Sequence, residues 1–146
     1  MKLLILMMAG IGAGITTTLQ GVINTGLENR TGFAGSVFIV TWVSALVMLV
    51  LLIIFPSYSN FRDLPGLKQW YLYAGGLCGI IIISTPVFLI PRIGVTLTIV
   101  TMIAGQLLIS TIIDHFGLFN FPAIRMNFAR FSGIILLIAG VFLIKK

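Results

Sequence analysis

Long uncharged apolar runs alternate with short clusters of charged residues along nearly the whole chain. Leu3–Leu27, Phe33–Phe55, Gln69–Pro91 and Ile93–Ile113 contain no Asp, Glu, Lys or Arg. A helix rises 1.5 Å per residue, so about 20 residues cross the roughly 30 Å of bilayer hydrocarbon, and each of these runs is long enough. The last run, Phe131–Ile144, is shorter. Starting it at Asn127 restores the length, with Arg130 snorkelling outward at one end and Lys145 and Lys146 anchoring the other. The runs are continuously apolar, whereas a barrel strand alternates. The pattern predicts an all-α integral membrane protein, a single membrane domain over 1–146 with five transmembrane segments at about 3–27, 33–55, 69–91, 93–114 and 127–145.

Polar residues inside two of these segments recur four apart. Thr16, Gln20, Asn24 and Glu28 do so in the first, and Gln106, Ser110 and Asp114 in the fourth. Residues at this spacing share one side of a helix, and an amide or acid in hydrocarbon is costly unless it faces other helices or water. Both stripes are therefore expected to point inward, as interhelical hydrogen-bond glue or as the lining of a path. Gln20, Asn24 and Gln106 are the leading pathway candidates, with Ser44 and Trp42 behind them. Glu28, Ser110 and Asp114 fall near the segment ends, at a cavity mouth. By helical rise from Gly14, Glu28 is about 20 Å from the midplane, so neutral groups would have to recognise a substrate at depth. Gly10 with Gly14, and Gly75 with Gly79, have the spacing that lets helix backbones approach closely in lipid.

Composition reinforces the membrane reading: 59% of residues are hydrophobic, 8% are charged, and mean hydropathy is +1.18. The net charge of +6 does not indicate nucleic acid, because the basic residues are scattered between apolar runs. The N-terminus, Lys2 followed by LLILMMAGIGAG, resembles a signal peptide, but its apolar stretch is too long for a cleaved one. There is no P-loop, HExxH or GxSxG pattern. One His and one Cys make a metal site improbable. An enzyme is not expected, nor a cofactor or metal.

Charge also bears on orientation. With an odd number of crossings the termini lie on opposite sides. Lys2, Arg62, Lys68, Arg125 and Arg130 fall on one, and Arg30, Arg92, Lys145 and Lys146 on the other. The excess of Lys and Arg in cytoplasmic loops orients membrane proteins, and five against four gives almost no instruction. A weak bias toward one orientation is one consequence. Dual topology, in which copies insert both ways and pair as an antiparallel dimer, is another, and pairing with an oppositely oriented paralogue is a third. In an antiparallel pair, Glu28 of one copy shares a face with Asp114 of the other, and the two stripes combine into one path.

Several stretches, namely "LQGVINTGL" in the first segment, "GGLCG", "PRIG" at Pro91–Gly94, "AGQLL" at Ala104–Leu108, "DHFGLF" at Asp114–Phe119 and the closing "GIILLIAGVFLI", together resemble the YdcZ family. Its members are five-helix proteins of the drug/metabolite transporter superfamily. The resemblance implies a bacterial inner-membrane protein equivalent to half of a ten-helix inverted-repeat transporter, completed by an antiparallel second copy. It also implies transport of a small organic solute by alternating access. A passive channel of similar assembly, or a subunit of a heterodimeric transporter or other membrane complex, stays open. Asn120, where the family more commonly has Gly, and Glu28, where it fixes no acid, are departures.

Overall fold

The computed structural model describes residues 2–61 and 64–144, with the side chains of Lys2, Tyr58, Leu67 and Asn120 outside that description. Arg62, Lys145 and Lys146 of the charge count lie outside the described residues. The described chain is helical: α1 (Lys2–Ile54), α2 (Ala74–Ile93), α3 (Val95–Phe116) and α4 (Phe128–Ile144). Three of these, within Leu3–Ile54, Lys68–Ile93 and Val95–Phe116, are long and apolar enough to cross a membrane, and α4 is a shorter apolar helix of 17 residues. Two compact units divide the chain, Met1–Arg92 and Ile93–Lys146.

In the first unit, α1 is one 53-residue run with non-helical backbone at Gly32 (φ 73, ψ 167). A straight helix of that length would measure about 80 Å, over twice the hydrocarbon thickness. The break divides it into arms at 2–31 and 33–54, and both arms touch α2. Gly21 of the first packs so closely on α2 that an added Cβ would lie 2.9 Å from Pro86 Cβ and 3.3 Å from Ile90 Cδ1. Phe33 of the second meets Phe88 edge-on, with ring centroids 6.1 Å apart at 77°. Farther along, Val37, Phe38 and Thr41 share an apolar groove with Ile80 and Ser84.

The segment read as 69–91 begins differently from its hydropathy. Leu67–Tyr73 is a 3-10 run, its Tyr73 hydroxyl donating to Pro65 O at 2.9 Å, and the α-helix starts at Ala74. Apolar composition sets where a segment can enter lipid, whereas the Pro65-Gly66 turn sets where helical hydrogen bonding begins. At its other end α2 continues through Pro91 to Ile93, with Pro86 also inside it. Proline removes a donor from the helix ladder. Beside Pro86, Ser84 Oγ donates to Ile80 O and Thr85 Oγ1 to Ile81 O.

In the second unit α3 and α4 pack together. Gly117, left-handed (φ 61, ψ 38), ends α3 and sends its N–H to Ile113 O. Asn127 opens α4, its Oδ1 accepting the Arg130 N–H at 2.9 Å, as an N-cap does.

Two helix junctions have the same chemistry. Gly94 (φ 80, ψ 165) repeats the Gly32 conformation immediately before α3. Each glycine follows an arginine by two residues, in Arg30-Thr31-Gly32 and Arg92-Ile93-Gly94. Positive φ with ψ near 165° is a region that a Cβ effectively forbids. Gly32→Ala and Gly94→Ala are each expected to cost about 1–3 kcal/mol, read as a lowered melting temperature of the purified protein. Gly26→Ala, where a Cβ meets nothing within 4 Å, is the control and should leave it unchanged or raised.

Candidate functional site

Serine and threonine are the commonest polar residues in the helices, and the hydroxyls that form hydrogen bonds do so within their own helices. Thr16 donates to Gly12 O at 2.9 Å, Thr25 to Gly21 O at 2.9 Å, Ser44 to Val40 O at 2.9 Å, Thr98 to Gly94 O at 2.7 Å and Ser110 to Leu107 O at 3.0 Å. A side chain with one carbon before its oxygen can reach back this way. Ser36 and Thr98, both fully buried, are satisfied by the same device. The amides of Gln20, Asn24 and Gln106 have no hydrogen-bond partner among the described residues.

The first polar stripe does not lie on one face. A step of four residues overshoots a full turn by about 40°, so three steps wind it about a third of the way around. Thr16 and Gln20 are exposed, Asn24 is buried at 4% exposure, and Glu28 is half-buried. The inward face is instead Gly21, Asn24, Thr25 and Glu28, at i, i+3, i+4 and i+7, of which Gly21 touches α2. That heptad-like spacing around a buried glycine is the signal available in the sequence. The Glu28 Oε2 is buried with no hydrogen-bond partner among the described residues. Near the other end of the same unit, Arg92 lies 3.7 Å over the Phe88 ring and donates to Phe88 O, so its charge is engaged within α2.

The remaining candidates are distributed as follows. Gln106 and Ser110 are exposed on α3, while Ser44 and Trp42 are exposed on the second arm of α1, Trp42 at 58%. Gly10, Gly14, Gly75 and Gly79 have nothing within 4 Å of an added Cβ, so their close-packing role finds no neighbour among the described residues of this chain.

The fourth segment's acid has a partner that its spacing did not reveal. Asp114, in the last turn of α3, forms an ion pair with Arg130 in the first turn of α4, at 3.5 Å and with both side chains 43% exposed. Arg130 is thus tied to α3 through Asp114. A carboxylate at a helix C-terminus and a guanidinium at an N-terminus each oppose the helix dipole. Here the two misplaced charges meet and offset one another. The connecting loop is tied to the same point: Ile124 N–H donates to Asp114 O at 2.7 Å and Met126 N–H to His115 Nδ1 at 3.2 Å. Leu107, Thr111, Gly133 and Ile134 complete a groove of about 380 Å³ around the pair.

A family model described as "Putative inner membrane exporter, YdcZ" matches residues 5–143. The chain belongs to the YdcZ family. The chain is 26% identical over 140 residues to the inner membrane protein YdcZ of Escherichia coli (strain K12), covering 93% of this chain and 91% of that protein. No solved structure matches it. The protein is accordingly a multi-pass protein of the bacterial inner membrane, in a family whose description is that of a membrane exporter. Among the described residues no group of His, Cys, Asp and Glu could hold a metal ion.

The half-exposed geometry of the ion pair sets its worth. In a double-mutant cycle, Asp114→Asn and Arg130→Gln should couple by no more than about 1 kcal/mol, read from unfolding of the purified protein. Gly21→Ala should be worse than either single change, because its Cβ would meet the rigid Pro86 ring at 2.9 Å.

Proposed function

We propose that this protein exports a small organic solute across the bacterial inner membrane as an antiparallel homodimer of dual topology, by alternating access. The observation that carries the transport reading is the match of residues 5–143 to an exporter family. Counting the two arms of α1 separately and taking the shorter apolar helix α4 as a crossing, the reading has five segments. A five-helix unit paired with its inverted copy reproduces an inverted repeat, and the two copies exchange inward and outward shapes by symmetry. The near-equal distribution of basic residues in the sequence supports insertion in both orientations.

The polar inventory supports a shared path. Hydroxyls satisfied inside their helices need no partner, but the exposed amides of Gln20 and Gln106 would be costly against lipid. A second copy or the transport path removes that cost. In this reading Gln20, Asn24 and Gln106 line the path, with Ser44 and Trp42 beside it, and Ser110 and Asp114 stand at a mouth. Gly10, Gly14, Gly75 and Gly79 are contact positions between copies. The solute passes by hydrogen bonds to amides and contact with the indole face.

Reporters active only in the cytoplasm or only in the periplasm, fused after Lys146, test the assembly. Both should be active, and adding or removing one loop arginine should swing their ratio; activity of one alone, insensitive to charge, would make the symmetric homodimer wrong. For transport, cells lacking the gene are compared with complemented cells over a panel of small solutes, and the affected solute is followed in proteoliposomes. Gln106→Ala should slow its flux about tenfold, the loss of roughly one hydrogen bond to the solute, with melting temperature unchanged. Flux that never saturates with concentration would identify a channel instead.

A further inference from the structure

The first arm of α1 places a carboxylate where the described residues give one of its oxygens nothing to bind. Glu28 lies in the last turn before the break at Gly32, and its Oε2 is buried without a hydrogen-bond partner among the described residues. The C-terminal end of a helix carries a partial negative charge, so burial and the helix dipole both penalise an anion there. Arg30, near the end of the first arm, and Arg92, near the end of α2, do not answer it. Arg30 is exposed, two residues on and so roughly on the opposite side of the helix. Arg92 is committed to the Phe88 ring and carbonyl. Among the described residues, the ion pair formed is Asp114–Arg130, not one with Glu28.

One turn before Glu28, on the same inward face, is Asn24, 4% exposed and also without a hydrogen-bond partner among the described residues. Thr25 adds a hydroxyl whose proton is directed to Gly21 O, leaving oxygen lone pairs. This is a carboxylate, an amide oxygen and a hydroxyl oxygen on one face of a helix end of negative potential. Oxygen donors with one negative charge suit a monovalent cation.

We propose that Asn24 and Glu28 form a binding site for a monovalent cation, either the ammonium group of the exported solute or a small coupling ion. The site rests on the export reading in treating that cation as cargo or as coupling ion. Glu28 supplies charge and Asn24 supplies a neutral oxygen, and the buried setting strengthens the attraction because water does not screen it.

The test uses the full-length protein purified in detergent. Melting temperature is followed while ethylammonium chloride or sodium chloride is titrated, with Glu28→Gln in the same series to remove general salt effects. A cation bound only to the folded state should raise the melting temperature with the logarithm of its concentration once that exceeds the dissociation constant, by about 3 °C at roughly ten times that constant. Glu28→Gln removes a penalised charge, so it should fold at least as stably as the unmodified protein without salt, and it should lose the cation-dependent rise entirely. Asn24→Leu should weaken the response about tenfold in the concentration needed, one hydrogen-bonding oxygen's worth. A response to ethylammonium alone assigns the site to the solute; a response to sodium alone assigns it to a coupling ion. No rise with either salt beyond that of Glu28→Gln, or an equal rise in Glu28→Gln, overturns the proposal. If the site binds a cation but proteoliposomes move no solute, the export reading fails and the site stands.

Discussion

In hydrocarbon a polar group without a partner costs several kcal/mol, and the side chains of this protein divide according to whether their own helix can supply one. A threonine or serine reaches the carbonyl one turn back, and the hydroxyls of Thr16, Thr41, Ser84, Thr101 and Ser132 do so. These residues place no demand on tertiary structure. Gln20, Asn24, Glu28, Gln106 and Asp114 carry their polar atoms farther from the backbone and must find partners elsewhere. Asp114 finds Arg130. The amides of Gln20, Asn24 and Gln106, and Oε2 of Glu28, have no hydrogen-bond partner among the described residues.

Packing inside the chain is correspondingly sparse. Val87 is the buried hydrophobic core among the described residues, while leucines, isoleucines and phenylalanines along every helix are exposed. A soluble protein with such a surface would aggregate; in lipid it is the expected exterior. Close packing is confined to points where the backbone allows it, as at Gly21 on Pro86, and the helix junctions rely on Gly32 and Gly94 in one unusual conformation. Helix order thus depends on a few glycines rather than on a large apolar core.

The helical membrane class was legible because a continuous apolar run has one stable solution in a bilayer. What hydropathy could not convey was phase and termination. Four-residue spacing drew Thr16 to Glu28 as one stripe, yet the helix winds it from outside at Gln20 to inside at Asn24. The onset of α2 at Ala74 depends on a turn at Pro65-Gly66 and a 3-10 run, neither visible in hydrophobicity. Arg130 reads as an anchor from its place between loop and segment, but the pairing with Asp114 is a contact between residues 16 apart in sequence, and periodicity within a segment has no access to it. The glycines chosen by their four-residue spacing have open space beside them, whereas Gly21, alone in its spacing, is the one pressed against α2.

Two of the chain's three acids occupy the same kind of position, the last turn of a helix or helical arm, where the backbone's own field disfavours a negative charge. For Asp114 the adjoining loop returns Arg130 to it, half-exposed, so the field is offset by a permanent neighbour. For Glu28 no such residue returns among the described residues. The turn at Gly32 leads directly into the second arm, and Arg92, the base that ends α2, is held on an aromatic ring. A charge that is only structural would be expected to carry its partner with it, as Asp114 does, because a buried carboxylate left alone is destabilising. Keeping Glu28 without one is therefore consistent with a partner that comes and goes, and the first arm of α1 is the part of this chain whose polar groups are arranged to meet it.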